Sequence, residues 1–270
     1  MGVHHSLNIG DFTILDGGKY ISLELLFIFN HNEFQTISEV IDDEVYCRYV
    51  YKSSLKKIKR RLHVMGFSLQ QSKVSFKNNK QKFRTEHLIE IPKGWSFNLW
   101  FKEIKNAIKQ KLWGCRAEKL NKNLAYIFDY RTEIPLGFPC SDLRSLIRAL
   151  LEIFSEEEEV ILDVTELIAN GDYIHSATSL DTLSKILILP EGSFDHFVLE
   201  KTLTLLYPDL KKYFSFLDFS NSRTAGGVGQ LVNIVKAFIG SGIQEKIIAI
   251  FDNDSSAYDD LRSLTSISLP

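Results

Sequence analysis

The sequence predicts two modules: an α+β module over residues 1–158, followed by a Rossmann-like α/β module with a parallel sheet over residues 159–270. Strand-like and helix-like segments are mixed in the first part, whereas they alternate strictly from Ile186 onward. Strict alternation is typical of a parallel sheet with crossover helices. The 270 residues suit one large domain or two small ones, and 44% apolar with 24% charged residues exclude a disordered chain.

Extended segments open the first module. Ser6–Ile9, Phe12–Leu15 and Glu44–Tyr51 mix β-branched and aromatic residues with polar ones, which is typical of strands. A helix is expected from Ser53 to Met65, because its apolar residues recur at helical spacing: Leu55, Ile58, Leu62 and Met65. Gly66 then supplies a stop signal.

Three more segments complete the first module. The polar segment from Ser68 to Lys82 is expected to form a strand and a loop. Asn98 to Leu112 has the apolar spacing of an amphipathic helix. A third helix is expected to begin near Pro139 with Ser141 as its N-cap, and the acidic run Ser155–Glu159 follows it as a solvated connection.

The second module has short apolar strands separated by helices. The expected strands are Val160–Val164, Ile186–Leu189, Tyr213–Phe219 and Lys246–Phe251. The expected helices are Phe194–Leu206, Leu231–Ile239 and Ser256–Leu264. Counted from Ile186, the order is β-α-β-α-β-α, and in such sheets ligands bind at the carboxyl ends of the strands.

Charge is distributed unevenly along the chain. Residues 1–120 carry 20 basic and 12 acidic side chains, whereas residues 121–270 carry 12 basic and 22 acidic ones. The segment Lys52–Arg84 holds eleven basic residues and no acidic one, and a field of one sign attracts polyanions. The predicted nucleic-acid-binding residues are Lys56, Lys57, Lys59, Arg60 and Arg61. The alternative is a solvated basic face whose acidic partners come from elsewhere in the fold.

Acidic side chains follow two of the expected parallel strands. Glu191 follows one strand, Asp252 and Asp254 follow another, and Asp195 begins the helix after Glu191. Neighbouring carboxylates repel each other, but a bound Mg²⁺ or Mn²⁺ ion offsets that repulsion, since hard cations are coordinated by carboxylate oxygens. We therefore predict a metal site, with ordinary turn chemistry at Asp252–Asp254 as the alternative.

The combination of these motifs resembles the Toprim domain of topoisomerases, bacterial primases and overcoming-lysogenization-defect nucleases. An apolar strand ends in Glu191-Gly192, an acid follows four residues later, and a later strand ends in Asp252-Asn253-Asp254. The resemblance runs from about Leu183 to Leu264. It implies that Glu191, Asp195, Asp252 and Asp254 bind Mg²⁺ or Mn²⁺, and that Glu191, Asp252 and Asp254 are catalytic in a nuclease.

The start of the chain resembles the bacterial HEPN/Toprim N-terminal family. The matching residues are Met-Gly-x-x-x-Ser-Leu-x-Ile-Gly-Asp-Phe at 1–12, with Arg61-Leu62 and Gly66-Phe67. Proteins of this type carry the region ahead of a Toprim domain and are suspected to act in phage defence. The chain has no Arg followed by His at the spacing of HEPN ribonucleases, and a Toprim domain ending at Pro270 is expected to lack its last strand.

These observations favour metal-dependent cleavage or processing of nucleic acid, DNA more than RNA, in bacterial anti-phage defence. The alternative is a non-catalytic nucleic-acid-binding or regulatory subunit that uses an incomplete Toprim fold for assembly. A homo-oligomer and a partner protein both stay open.

The sequence also excludes several classes of protein. No apolar run reaches the roughly 18 residues of a membrane helix, and residues 1–11 lack a signal-peptide pattern. The three separated cysteines, Cys47, Cys115 and Cys140, support neither a disulfide framework nor a zinc site. We therefore expect a cytoplasmic protein with no membrane partner.

Overall fold

The computed structural model describes residues 4–41, 44–86, 91–112, 120–128, 134–173, 185–218, 227–243 and 246–265. The chain forms two compact units, Met1–Leu180 and Asp181–Pro270. The boundary therefore lies later than the expected one between residues 158 and 159, because the strand that follows residue 158 belongs to the N-terminal sheet. Within the described ranges, no helix is both long enough and apolar enough to cross a membrane.

The N-terminal unit is built on a five-stranded antiparallel sheet in the order β2-β1-β5-β4-β3. Its strands are β1 (His5–Ile9), β2 (Phe12–Gly17), β3 (Phe34–Ile41), β4 (Glu44–Ser54) and β5 (Glu159–Asp163). The last strand in sequence lies in the centre, where Leu162 pairs with Leu7 on one side and Tyr51 on the other. Alternate residues of β1 and β5 are buried, so one face of the sheet packs on the core.

Helices cover this sheet. They are α1 (Leu23–Leu26), α2 (Leu55–Val64), α3 (Leu69–Thr85), α4 (Phe97–Lys109), α5 (Lys122–Ile127), α6 (Leu143–Leu150) and α7 (Thr165–Ala169). Helix α2 packs against β4, β5 and α6. Helix α6 is capped by Asp142 rather than by Ser141, because the Asp142 Oδ1 accepts a hydrogen bond from the Arg144 backbone N–H at 2.9 Å.

The segment expected to be a strand and a loop, Ser68 to Lys82, is helical, so that prediction was wrong. Ser68 caps α3, since its Oγ accepts from the Gln71 backbone N–H at 3.1 Å. The buried face of α3 consists of Ser72, Phe76, Asn79 and Phe83. Two of these four residues are polar, so the buried positions have helical spacing without a matching pattern of apolar residues in the sequence.

A buried ion pair joins α2 to the sheet. The Arg61 side chain is completely buried, and its two terminal nitrogens donate to the Glu33 carboxylate at 2.7 and 2.8 Å. The same carboxylate accepts from the Ser53 hydroxyl at 2.8 Å and from the Asn30 backbone N–H at 2.9 Å, while Arg61 also donates to the Ile28 carbonyl at 3.0 Å. The network thus pairs the Arg61 charge with the Glu33 charge within the core.

The C-terminal unit is a small parallel α/β unit, and the expected β-α-β-α-β-α alternation is confirmed. It comprises β6 (Ile186–Leu189), α8 (Ser193–Leu206), β7 (Phe214–Phe216), α9 (Val228–Gly240), β8 (Ile247–Ala249) and α10 (Ser255–Thr265). The sheet order is β7-β6-β8, and both strand pairs are parallel. Strand β6 is therefore central, and Leu189 at its end is fully buried.

We predict that Arg61→Ala lowers the free energy of unfolding of the N-terminal unit by about 3–5 kcal/mol, because it leaves the Glu33 carboxylate buried without its cation. Urea unfolding followed by tryptophan fluorescence measures this loss, since all three tryptophans lie in residues 1–180. The matched control is Arg60→Ala at the neighbouring exposed position, with an expected change within about 0.5 kcal/mol. A loss below about 1 kcal/mol for Arg61→Ala would contradict a central role of the pair.

We predict that the N-terminal unit loses stability in acid. Burial raises the pKa of Glu33, but the hydrogen bonds and charge of Arg61 outweigh it and hold that pKa below 4.5. Burial likewise raises the pKa of Glu152, and hydrogen bonds from Lys59 and Arg148 bring it below the ordinary value. A lowered folded-state pKa stabilises fully above the unfolded pKa, and this stabilisation is lost as the pH falls through the folded pKa.

Urea unfolding at pH 7, 5 and 3 tests this dependence. Stability should change little between pH 7 and 5 and fall below about pH 4. Glu152→Gln should reduce the loss between pH 5 and pH 3, whereas Glu24→Gln, at an exposed position, should leave it unchanged. An equal acid-dependent loss in both variants would show that Glu152 does not contribute.

Candidate functional site

Acidic residues follow all three strands of the parallel sheet. Glu191 lies two residues after β6, Asp218 two residues after β7 and Asp252 three residues after β8. Because the strands are parallel and β6 is central, Glu191 lies between the other two strand ends. Glu191 and Asp252 therefore lie at the same edge of the sheet.

Glu191 and Asp252 are in direct contact. The Glu191 Oε2 accepts a hydrogen bond from the Asp252 backbone N–H at 3.2 Å. The Glu191 backbone carbonyl accepts from the Gly227 N–H at 3.0 Å, and the Leu189 carbonyl accepts from the Ile250 N–H at 2.9 Å. These bonds fix the Glu191 backbone and orient its carboxylate toward the end of β8.

Asp195 lies in the first turn of α8 and folds back toward Gly192. A Cβ atom at position 192 would lie 3.2 Å from the Asp195 Oδ2, which is tighter than ordinary contact. The glycine after Glu191 therefore leaves room for the second carboxylate. The Asp195 carboxylate thus lies close to the backbone at Gly192, the residue after Glu191.

Asp254 is exposed and precedes α10, where its backbone carbonyl accepts from the Tyr258 N–H at 3.3 Å. Among the described residues, no three or more His, Cys, Asp or Glu side chains lie close enough together to hold a metal ion. The four predicted ligands therefore do not form such a group in this structure. The donor chemistry still suits Mg²⁺, which is usually bound by one or two carboxylates together with waters and substrate phosphates.

His196, the residue after Asp195, is a neighbour of this edge. Its Nδ1 lies 3.7 Å from the Asp218 Oδ1, and its Nε2 lies 3.5 Å from the Glu200 Oε2. Glu200 in turn lies 3.5 Å from the Lys211 Nζ. The two imidazole nitrogens thus face different carboxylates, so His196 forms ion pairs on both sides when it is protonated. The four-residue spacing to Glu200 was the available sequence signal.

The basic segment does have acidic partners within the N-terminal unit. Lys52 pairs with Glu159 at 2.7 Å, and Lys59 pairs with Glu152 at 2.9 Å. Both acids lie about 100 residues away in sequence, near β5. The eleven basic residues of Lys52–Arg84 are therefore not all unopposed, because tertiary contacts neutralise part of the segment.

Arg61 cannot contact nucleic acid in this fold, which corrects the sequence prediction. Its guanidinium is buried against Glu33, so no phosphate reaches it. Lys59 is partly buried and held by Glu152. Of the five predicted contact residues, the exposed ones are Lys56, Lys57 and Arg60.

Helices α3 and α4 also carry exposed basic residues. Lys73 and Lys77 on α3 are exposed, and so are Lys102 and Lys105 on α4. The Lys73 Nζ lies 5.6 Å from the centre of the Phe97 ring. The lysines of α3 belong to the basic segment Lys52–Arg84, whereas those of α4 lie outside it.

A comparison with protein families completes this description. The family model for the HEPN/Toprim N-terminal domain 1 matches residues 1–184. No curated protein and no solved structure gave a significant match. The match spans the whole N-terminal unit and more than half of the 270 residues. The chain therefore belongs to the HEPN/Toprim N-terminal domain 1 family.

Proposed function

We propose that this protein cleaves or processes nucleic acid, DNA more than RNA, in a metal-dependent reaction of bacterial anti-phage defence. The C-terminal unit would act as a Toprim-like nuclease module. The observation that carries the proposal is the hydrogen bond from the Asp252 N–H to the Glu191 carboxylate at the carboxyl edge of a parallel sheet. The family's association with Toprim domains supports the same assignment.

Glu191 and Asp252 would hold Mg²⁺ or Mn²⁺, with Asp195 and Asp254 as the further ligands. When bound, the metal supplies positive charge that stabilises the attacking and leaving oxygens of a phosphodiester. The protein's own contribution is to orient the Glu191 carboxylate through the Asp252 N–H and to keep Asp195 next to Gly192. Preorganised ligands of this kind reduce the reorganisation that binding requires.

The basic side chains of the N-terminal unit would hold the nucleic-acid backbone. Lys56, Lys57 and Arg60 project from α2 into solvent, whereas Leu55, Ile58 and Leu62 form its buried face. Contacts of this type go to phosphates and carry no sequence information. Binding should therefore be independent of sequence and sensitive to salt.

The second candidate is a non-catalytic nucleic-acid-binding or regulatory subunit. It is favoured by the absence of a group of three metal-binding side chains from the described part of the chain. Incubation of the protein with plasmid and single-stranded DNA, with and without Mg²⁺ or Mn²⁺, separates the two candidates. Metal-dependent cleavage supports the nuclease, and binding without cleavage supports the subunit.

We predict that replacing Asp252 and Asp254 together with alanine weakens Mg²⁺ or Mn²⁺ binding by more than 100-fold, because loss of a ligand should exceed the roughly 10–100-fold cost of losing an outer-shell partner. Isothermal titration calorimetry measures the affinity, and DNA cleavage should disappear in parallel. The control is Asp259→Ala, which removes an exposed acid of α10 that pairs with Arg262. Unchanged metal affinity in the double variant would rule out the proposed ligands.

We predict that replacing Lys56, Lys57 and Arg60 with glutamine flattens the dependence of log affinity on log salt by up to about three units on duplex DNA. Each contacted phosphate contributes about 0.9 to that slope. Fluorescence anisotropy between 50 and about 300 mM salt measures it. Lys201→Gln, which removes an exposed charge from the other unit, serves as the control. An unchanged slope in the folded triple variant would show that this face of α2 does not touch phosphates.

A further inference from the structure

The end of the β3–β4 hairpin, residues 38–41 and 44–47, extends beyond the sheet as a two-stranded ribbon. Strand β5 pairs with β4 only from Val50 to Ser54, whereas β3 follows β4 as far as the pair Ile41–Glu44. Val40 and Val45 lie opposite each other in the ribbon and are 70% and 67% exposed. Two strands without a packed face are marginally stable, so this ribbon gains from a further strand.

Strand β3 offers an open edge for such a strand. Within the described residues its strand neighbour is β4 alone, and the pairing continues over eight residues without a bulge. The strand has no Pro, Lys or Arg, although natural edge strands are commonly protected by these residues or by bulges. The side chains of Gln35, Thr36 and Ser38 are exposed. The edge is thus available, and Glu39 is the only charged residue in the sequence of β3.

The sequence of β3 is complementary to itself. Residues at equal distances from Ile37 are compatible: Thr36 and Ser38 carry hydroxyl groups, and Phe34 and Val40 are apolar. Two copies of β3 that run antiparallel with Ile37 on a twofold axis would place these residues opposite each other, and the amide residue Gln35 would lie opposite the acidic residue Glu39. Cross-strand pairs of hydroxyl or of apolar residues stabilise a sheet.

Acidic residues near one end of β3 favour the same orientation. Glu39 lies in β3, and Glu44 pairs with Ile41 at its end. Parallel pairing of two β3 strands would place these acids of both copies side by side, whereas antiparallel pairing sends the two Glu44 residues to opposite ends. An antiparallel pair about one axis also closes as a dimer and does not extend into a filament.

We propose that this protein forms a twofold dimer in which the β3 strands of two copies pair antiparallel about Ile37. The two five-stranded sheets then form one continuous ten-stranded sheet. The exposed ribbon of each copy lies beside the base of the partner's hairpin. This assembly is independent of the proposed nuclease function, since no residue of the C-terminal unit takes part in it.

Matched charges on β3 test this register. Thr36→Lys with Ser38→Lys places lysine opposite lysine at both positions of the dimer, and Thr36→Glu with Ser38→Glu places glutamate opposite glutamate. Sedimentation velocity should show the unchanged protein as a dimer and each double variant alone with at least about tenfold weaker association. An equimolar mixture should restore the dimer, because each lysine then faces a glutamate.

The control variant carries Asn78→Lys and Gln81→Lys at two exposed positions of α3, and it should dimerise like the unchanged protein. Circular dichroism confirms that each variant is folded. The proposal fails if the unchanged protein sediments as a monomer at about 100 µM. It also fails if the lysine variant stays dimeric or if the mixture of folded variants does not associate.

Discussion

The buried Arg61–Glu33 ion pair is the constraint on which the N-terminal unit depends. It joins α2 to the turn before β3, and Ser53 ties the same carboxylate to the end of β4. Taking two charges out of water costs several kcal/mol each, and the interior repays this only when geometry and additional hydrogen bonds are good. Here the carboxylate receives four donors, so α2 has a single satisfactory position against the sheet. The ion pair therefore both positions α2 and removes Arg61 from the surface.

The central position of β5 explains both the domain boundary and the charge balance. The strand enters between β1 and β4, so the N-terminal sheet is complete only after residue 163 has been placed. With it come Glu159, which pairs with Lys52, and Asp163, which pairs with Arg48. Burial raises the pKa of Asp163, but hydrogen bonds from Thr165 and Arg48 bring it below its ordinary value. The basic first part and the acidic later part of the chain therefore neutralise each other locally, and exposed basic side chains remain on α2, α3 and α4.

The C-terminal unit is organised by the parallel direction of its strands. That direction alone brings Glu191 and Asp252 together, because the two residues follow neighbouring strands that end at the same edge. Gly192 allows the Asp195 carboxylate to approach, which a larger residue would prevent. The same edge carries Asp218, which faces His196.

The positions of several helices and the order of the C-terminal elements could be predicted from the sequence alone. The spacing of apolar residues predicted α2, α4 and the alternation of strands and helices in the C-terminal unit. Such spacing is present in the sequence wherever one face of an element is buried. Strand-end positions gave Glu191 and Asp252 as neighbours. Features that depend on distant partners could be read only from the folded chain. Helix α3 is helical although its buried face includes Ser72 and Asn79. Strand β5 belongs to the first sheet, and Arg61 is buried. The sequence shows how many charged side chains a segment has but not which residues they pair with. Glu33, Glu152 and Glu159 contact the basic segment only in the folded chain.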